Sequence, residues 1–411
     1  MIAGIISKKQ KFYREILKQL FFNKQFSCAD LSNAIKKSIP LTTQYINELI
    51  GMKLVSEKGY AVSTGGRRPQ TYSIKNGVFY IISVAMDQLV TRVALISTDN
   101  TIVGEITKFN LILANNPDSL QELIRHLKSF IQHSKIPESK IVGIGIGMPG
   151  FVDTAKGINY TFLPCKSGTV TSNIQEALKL PVLIDNDSSL IALAELKWGA
   201  AKNKQNIMVL NLGWGIGLGI IINGKLFRGN DGFAGEFSHI PLFDNNKICS
   251  CGKHGCLETE TSLMVVAQKA IEKLKKEQKP SLIQNLKAGN IEDVVRKVIE
   301  AAQKGDKFSI ELLSEAAYNI GRGVAILIHL LNPEMIVISG IGSLAGKIWI
   351  APVQQAINEH CIPKIAEHTE IKISTLGYNA ELIGAAALVM DNYEQLPVMI
   401  GEKAIKQLNV L

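Results

Sequence analysis

Apolar residues recur at helical spacing three times within the first fifty residues of the chain. The first helix is predicted from Lys11 to about Leu20. A short second helix follows, with Ser27 as its cap. After the break at Ser38-Ile39-Pro40, a third helix is predicted, with Thr42 or Thr43 as its cap. Three short helices in this order, the last two joined by a tight turn, are typical of a helix-turn-helix unit.

Two short strands joined by a glycine turn follow the three helices. Residues 54–74 have the pattern of a β-hairpin that carries Gly65-Gly66-Arg67-Arg68-Pro69. A hairpin directly after a helix-turn-helix unit is typical of a winged helix, in which the hairpin forms the wing. The sequence therefore predicts a winged helix-turn-helix domain over residues 1–75.

From about residue 76 the pattern alternates between buried strands and amphipathic helices. Such alternation predicts an α/β architecture, and its order suggests two lobes with a cleft between them. We place the first lobe at residues 76–200 and the second at 201–383. A C-terminal helix over residues 384–411 is expected to return to the first lobe, while the second lobe is expected to hold the interface of a dimer.

The positive charge of the chain is confined to its N-terminal domain. Residues 1–75 contain thirteen Lys and Arg against four Asp and Glu, which accounts for the entire net charge of +9. Such asymmetry points to a polyanionic partner, with nucleic acid first, a membrane surface second and a merely solvated basic face as the alternative, and the winged-helix pattern favours double-stranded DNA. The side chains expected to contact DNA lie at the start of the third helix and in the wing. They are Thr42, Thr43, Gln44, Asn47, Arg67 and Arg68.

The composition describes a globular protein without membrane insertion. Hydrophobic residues make up 46% and charged residues 20% of the chain, which argues against disorder. No uncharged apolar run approaches the roughly 18 residues of a membrane span, and the N-terminus does not have the pattern of a secretory signal. We therefore expect a cytoplasmic protein.

Three of the six cysteines lie within eight positions of one another. The segment reads Cys249-Ser250-Cys251, then Cys256 after four further residues, and His239 precedes it by nine residues. Three thiolates and one imidazole supply the four ligands of a closed tetrahedral zinc site. Because such a site has no open position for water, we expect a structural Zn²⁺ bound by His239, Cys249, Cys251 and Cys256.

Further motifs around this cluster resemble the ROK family of repressors and sugar kinases. The resemblance spans about residues 76–390 in the order of the family, and the preceding winged helix resembles its regulator branch. The motifs are Gly147-Met148-Pro149-Gly150, Asn186-Asp187, Gly213-Trp214-Gly215-Ile216-Gly217, Gly235-Glu236-Phe237-Ser238-His239, Cys256-Leu257-Glu258, Leu331-Asn332-Pro333 and Ile383-Gly384-Ala385-Ala386.

The resemblance implies a two-lobed, actin-like fold of the hexokinase type with a sugar between the lobes. The sugar-binding positions of the family correspond here to Asn186, Asp187, Glu236, His239 and Glu258. In the kinases of the family, the residue matching Asp187 is the general base. A helix cap is the structural alternative for Asp187. His239 is expected to serve both the metal and the sugar, with one ring nitrogen for each.

Two departures from the family pattern argue against catalysis. The kinases carry Asp-x-Gly-Gly-Thr in the first lobe, where this chain has Ser83-Val84-Ala85-Met86-Asp87. In the second phosphate loop, Trp214 replaces the usual threonine. Phosphoryl transfer depends on backbone amides, hydroxyls and an acid that position phosphates and Mg²⁺, so we expect neither ATP binding nor enzyme activity, although Asp187 is retained.

The sequence thus predicts a sugar-responsive transcriptional regulator, most simply a repressor of carbohydrate-utilisation genes. Its expected partners are an operator DNA, a sugar or amino sugar as effector, and further copies of the chain in a dimer or tetramer. Two alternatives stay open at this point. One is an active ATP-dependent sugar kinase, and the other is an RNA-binding or scaffolding module.

Overall fold

A computed structural model describes residues 8–60, 68–277, 280–283 and 291–396. The chain divides into two compact units, one of Met1–Asn186 with Leu382–Leu411 and one of Asp187–Glu381. We call them unit 1 and unit 2. The division after Asn186 differs from the predicted boundary near residue 200, because the helix that begins at Asp187 packs on the sheet of unit 2.

The N-terminal part of unit 1 contains three helices and a small antiparallel sheet. The elements are α1 (Lys8–Asn23), β1 (Phe26–Ser27), α2 (Cys28–Ala34), α3 (Ile39–Gly51), β2 (Val55–Tyr60) and β3 (Gln70–Ile74). The strands are ordered β1-β3-β2. These are the elements expected for a winged helix, and the predicted wing tip up to Arg67 lies outside the described residues.

The second helix begins at a complete side-chain cap, and the third begins after Ser38, whose side chain makes no capping hydrogen bond. Ser27 accepts a hydrogen bond from the Asp30 backbone, and the Asp30 side chain bonds back to Ser27, which is a complete capping box. The cap of α3 is Ser38 and not Thr42 or Thr43, so the third helix begins one turn earlier than predicted. Pro40 fits there because the first turn of a helix needs no backbone donor.

The remainder of unit 1 is a five-stranded mixed sheet with helices. Its elements are β4 (Tyr80–Met86), β5 (Val90–Ser97), β6 (Ile102–Asn110), α4 (Ser119–Ser134), β7 (Ile141–Met148), β8 (Val152–Asp153), β9 (Ile158–Asn159), α5 (Val170–Leu178) and β10 (Val182–Asn186). The sheet order is β10-β7-β4-β5-β6, with β10, β7 and β4 parallel. The apolar faces of α4 and α5 pack on this sheet and bury its isoleucines and valines.

Unit 2 contains a second five-stranded sheet in the order β13-β12-β11-β14-β15. Its elements are α6 (Asp187–Trp198), β11 (Ile207–Leu212), β12 (Ile216–Ile222), β13 (Lys225–Phe227), α7 (Glu258–Thr261), α8 (Leu263–Glu277), α9 (Ile291–Gln303), α10 (Lys307–Leu331), β14 (Met335–Ser339), α11 (Ile350–His360), α12 (Pro363–Ala366) and β15 (Glu370–Ile373). None of the helices in the described ranges is long and apolar enough to cross a membrane.

The last described helix, α13 (Ala380–Asp391), is shorter than the predicted helix of residues 384–411. Beyond it, residues 397–411 lie outside the described part of the chain. The short turn after α13 packs against α1 through Arg14, which is 2% exposed. The Arg14 guanidinium donates to the carbonyls of Tyr393 and Glu394, both at 3.2 Å, and to that of Leu396. It also lies 5.4 Å from the centre of the Tyr393 ring.

Replacing Arg14 with alanine is expected to destabilise unit 1 by about 3 kcal/mol, because buried carbonyls would lose a charged donor. Urea unfolding of the full-length protein measures the effect. Lys18, one turn further along α1, is the matched control. It donates to the Asp391 carbonyl at 2.8 Å but keeps 21% of its side chain exposed, so Lys18→Ala should cost about 1 kcal/mol. Equal losses for the two variants would contradict this role of Arg14.

Candidate functional site

The predicted metal ligands converge in unit 2. The ligand atoms of His239, Cys249, Cys251 and Cys256 all lie within 4.8 Å of one another. Cys256 is fully buried and Cys249 is 5% exposed, whereas Cys251 is exposed. The cluster is brought together by a short loop in which residues 241 and 256, and residues 248 and 254, pair as antiparallel bridges.

The spacing of these atoms fits a tetrahedral ion. Zinc–sulfur bonds of about 2.3 Å place two sulfurs of a tetrahedron about 3.8 Å apart. The Sγ atoms of Cys251 and Cys256 are 3.7 Å apart, and Cys249 Sγ lies 3.4 Å from His239 Nδ1. The donor set and its spacing therefore suit a four-coordinate metal such as zinc.

The thiols of the cluster are held in unequal environments. Burial, together with the neighbouring thiols Cys251 and Cys249, raises the pKa of Cys256 to about 12. Burial also tends to raise the pKa of Cys251, but the Lys253 backbone amide and the two other thiols lower it overall. Three thiols at these distances repel one another once ionised, and a divalent cation removes that repulsion.

Two of the predicted sugar-binding carboxylates lie beside the metal cluster. His239 turns Nδ1 toward Cys249, and its Nε2 lies 3.6 Å from the Glu236 carboxylate. Partial burial raises the pKa of Glu236, an effect that His239 opposes and Glu258 reinforces. The Glu258 carboxylate accepts a hydrogen bond from Ser250 Oγ at 3.2 Å. Ser250 lies between two cysteines of the cluster, so it links Glu258 to the metal loop, which the sequence reading did not anticipate.

The glycine-rich segment before β12 makes room for carboxylate and hydroxyl groups. A Cβ atom at Gly215 would lie 2.6 Å from the Glu258 carboxylate, and one at Gly217 would lie 1.8 Å from Ser188 Oγ. Glycine is therefore required at both positions for this close approach. Because residues two apart in an extended segment point to one side, Glu258 and the start of α6 lie along one side of this segment.

Asp187 is the first residue of α6, and both oxygens of its carboxylate accept hydrogen bonds. Its Oδ1 accepts from the Ser188 backbone at 2.6 Å and from Ser188 Oγ at 3.0 Å. Its Oδ2 accepts from Asn211 Nδ2 at 3.2 Å. Asn186 ends β10 in unit 1, and its side chain donates to the Gly150 carbonyl at 3.4 Å. The contact to the Ser188 amide is with the adjacent residue, whereas a helix cap accepts from a residue two or three positions further on, so the capping alternative stays a prediction.

The predicted DNA-contacting residues divide into exposed and buried ones. Gln44 and Asn47 are exposed and lie on one face of α3, and Arg68 is exposed beside the wing. Thr43 is half-buried and donates to the Ile39 carbonyl at 2.9 Å. Thr42 is wrong as a DNA contact, because it is fully buried and donates to the Ser38 carbonyl. Arg67 lies outside the described residues.

An exposed apolar residue also marks the start of α3. Ile39, the first residue of the helix, is 54% exposed. The sequence analysis places Ile39 in the break before the third helix because Pro40 follows it. Gln44 and Asn47 together define an exposed surface of this helix, which we call the α3 surface.

Comparison with known proteins places the chain in a family. The ROK family model matches residues 85–392, so the protein belongs to the ROK family. A xylose repressor from Caldicellulosiruptor bescii is 30% identical over 392 residues, which cover 93% of this chain and 96% of that protein. A glucokinase from Halalkalibacterium halodurans is 34% identical over 283 residues, which cover 68% of this chain and 83% of that protein.

A solved structure matches nearly the full length of the chain. It is a crystal structure of a ROK family transcriptional regulator described as a homolog of the Escherichia coli MLC protein. The TM-score is 0.75 at 26% identity, with 96% of this chain and 99% of that chain covered. The match confirms the predicted α/β fold class, with a ROK domain that follows an N-terminal helical domain.

Proposed function

We propose that this protein is a sugar-responsive transcriptional repressor. The observation that carries the proposal is the extent of similarity to a regulator: the xylose repressor match covers 93% of this chain, against 68% for the glucokinase. The N-terminal helices and hairpin would bind an operator DNA, and the ROK domain would bind the sugar that changes its affinity. A dimer or tetramer would supply two copies of the α3 surface at a fixed spacing.

The chemistry of the N-terminal domain supports DNA as the partner. All of the net positive charge of the chain lies within residues 1–75. Gln44 and Asn47 are amide side chains, which make paired hydrogen bonds with adenine in a major groove. Arg68 at the wing carries the charge that phosphates or a narrow minor groove attract.

The chemistry of unit 2 supports a sugar as the effector. Asp187, Glu236 and Glu258 supply acceptors for vicinal hydroxyl groups, and His239 supplies a ring nitrogen. Asn186 is proposed to add an amide to the same site. The metal proposed for the cysteine cluster is a structural zinc ion, which would hold the loop that carries His239 and Ser250.

Two local features support the loss of kinase activity. Ala85 and Met86 are buried in β4 at the positions of the paired glycines of the kinases, and Ser83, also buried, stands at the position of their aspartate. The Asp87 carboxylate accepts from the backbone amides of residues 89 and 90 at 2.8 and 2.7 Å, and so serves the turn after β4. Trp214 is 6% exposed and offers no hydroxyl.

Fluorescence anisotropy on DNA from the upstream region of the gene tests the proposal. The full-length protein is titrated in the presence of excess competitor DNA, with and without D-glucose, D-xylose and N-acetyl-D-glucosamine. We expect selective binding to one duplex and a change of affinity with one sugar. If no duplex is preferred over the competitor, the repressor proposal fails.

The amide side chains of the α3 surface provide a residue-level test. Gln44→Ala and Asn47→Ala are each expected to weaken binding to the preferred duplex by about 1–3 kcal/mol, through loss of base contacts. Gln355→Ala is the matched control. Gln355 is also exposed and also donates to a glutamate four residues later on its helix, at 3.0 Å against 3.2 Å for Gln44. Unchanged affinity in both α3 variants would contradict this surface as the DNA contact.

An active sugar kinase is the second candidate, because the glucokinase match reaches 34% identity and Asp187 is retained. ATP turnover is measured on the same sugars, with Asp187→Asn as the control for contaminating kinases. Sugar-dependent ADP formation that disappears in the Asp187→Asn protein would favour the kinase. We expect no turnover above that of the variant.

A further inference from the structure

Asn211 lies at a junction of three strands in unit 2. In the sheet it is paired with Gly217 of β12 on one side and with Ser339 of β14 on the other. The sequence reading assigned no role to it, since a single asparagine near a strand end has no distinctive pattern. Its side chain, however, reaches the start of α6, twenty-four positions earlier in the chain.

The Asn211 amide donates to two groups at the start of α6. Its Nδ2 lies 3.2 Å from Asp187 Oδ2 and 3.3 Å from Ser188 Oγ. Ser188 itself donates twice to the other carboxylate oxygen of Asp187, from its backbone and from its hydroxyl. Both oxygens of Asp187 therefore accept hydrogen bonds from the protein, and Asn211 is a donor that comes from outside the helix.

Gly340 leaves room for the side chain of Asn211. A Cβ atom at Gly340, the residue that follows β14, would lie 2.3 Å from Asn211 Oδ1 and 2.8 Å from the Leu212 carbonyl. Any larger residue at Gly340 would displace the amide. Glycine at position 340 therefore leaves the space in which the Asn211 amide reaches Asp187.

We propose that Asn211 is a positioning residue for ligand binding: it holds the Asp187 carboxylate in the orientation that accepts a sugar hydroxyl. The inference rests on the proposed function, because it takes Asp187 as a sugar contact. Asn211 acts through Asp187, so its loss leaves the metal loop and the α3 surface untouched. Loss of Asn211 should lower the affinity for sugar. It should also reduce the contribution of the one sugar hydroxyl that donates a hydrogen bond to Asp187.

Isothermal titration of the full-length protein with D-glucose, D-xylose and N-acetyl-D-glucosamine tests the proposal. For the sugar that the unaltered protein binds, Asn211→Ala should raise Kd at least about tenfold, as expected for loss of a hydrogen bond to a charged group. Asn211→Asp should raise it further, since a second carboxylate would face Asp187. Asn206→Ala is the matched control, a half-buried asparagine just before the same strand β11, and should change Kd by less than about twofold.

A second readout separates positioning from a general loss of structure. Monodeoxy analogues of the bound sugar identify the hydroxyl whose removal weakens binding in the unaltered protein but not in the Asp187→Ala variant. Removal of that hydroxyl should also cost the Asn211→Ala variant little, whereas other hydroxyls keep their full effect. If Asn211→Ala binds sugar as the unaltered protein does, or loses affinity equally for every analogue, the positioning role is overturned. If the unaltered protein binds no sugar at all, the proposed function fails as well.

Discussion

The Cys256→Ser protein is expected to lose its metal and, with it, most of its affinity for sugar. Loss of a residue that only hydrogen-bonds to a metal ligand weakens metal binding about 10–100-fold, so removal of a thiolate ligand itself should weaken it at least about a hundredfold. Zinc content per chain, measured by elemental analysis after gel filtration, should fall from one equivalent to a small fraction. Sugar affinity, measured by titration calorimetry, should fall at least about tenfold.

The coupling between metal and sugar follows from the contacts of the loop. Cys249 and Cys251 flank Ser250, whose hydroxyl donates to Glu258 at 3.2 Å, and Cys249 lies 3.4 Å from His239. Without a metal ion, the ionised thiols repel one another, which displaces Ser250 and His239 from these positions. Glu258 and Glu236 then lose the neighbours that orient them.

A cysteine outside the cluster provides the control for this experiment. Cys361 is 8% exposed, also belongs to unit 2, and donates to the Ala325 carbonyl at 3.5 Å. Cys361→Ser should keep one zinc per chain and unaltered sugar affinity. A Cys256→Ser protein that retains a full equivalent of zinc would refute the assignment of the ligands. One that loses zinc but binds sugar normally would refute the coupling.

Local sequence patterns predicted the metal cluster and the N-terminal helices because each depends on residues close together in the chain. The four proposed ligands lie within eighteen positions, and their donor chemistry is distinctive. The first helix was predicted from Lys11 to about Leu20 and spans Lys8–Asn23. In such cases the spacing of apolar residues and the capping residue are enough to predict the helix, and the errors are confined to its ends.

Contacts between distant parts of the chain carry no such local signal. The Arg14 guanidinium donates to the Tyr393 carbonyl, 379 positions away. The Asn211 amide donates to Asp187, which lies 24 positions earlier in the chain. Thr42 was expected to be exposed because it is polar and close to a predicted helix start. The helix begins at Ile39 instead, and this shift rotates Thr42 into the core. Because Pro40 indicated a later start for this helix, the sequence did not place Thr42 on its buried face.

The glycines of strand β7 give another case in which a contact between distant parts of the chain has no local sequence signal. The strand is buried along its whole length. The alternation of isoleucine and glycine along it has a further cause, however, which the sequence pattern alone did not reveal. Position 145 faces α13 so closely that a Cβ atom would lie 2.1 Å from the Ala385 carbonyl oxygen and 3.1 Å from the Val389 side chain.

Gly145→Ala is therefore expected to destabilise unit 1 by about 3 kcal/mol or more, because backbone atoms of a helix cannot move aside as a flexible side chain would. Gly143→Ala is a graded control on the same strand, with its Cβ 3.2 Å from the Pro181 carbonyl, and should cost less than half as much. Gly51→Ala, at the end of α3, meets nothing within 4 Å and should leave stability unchanged or raise it. Urea unfolding of the three full-length variants measures the series. A Gly145→Ala protein as stable as Gly143→Ala would contradict the close packing of α13 on β7, since the predicted order of the variants depends on that contact alone.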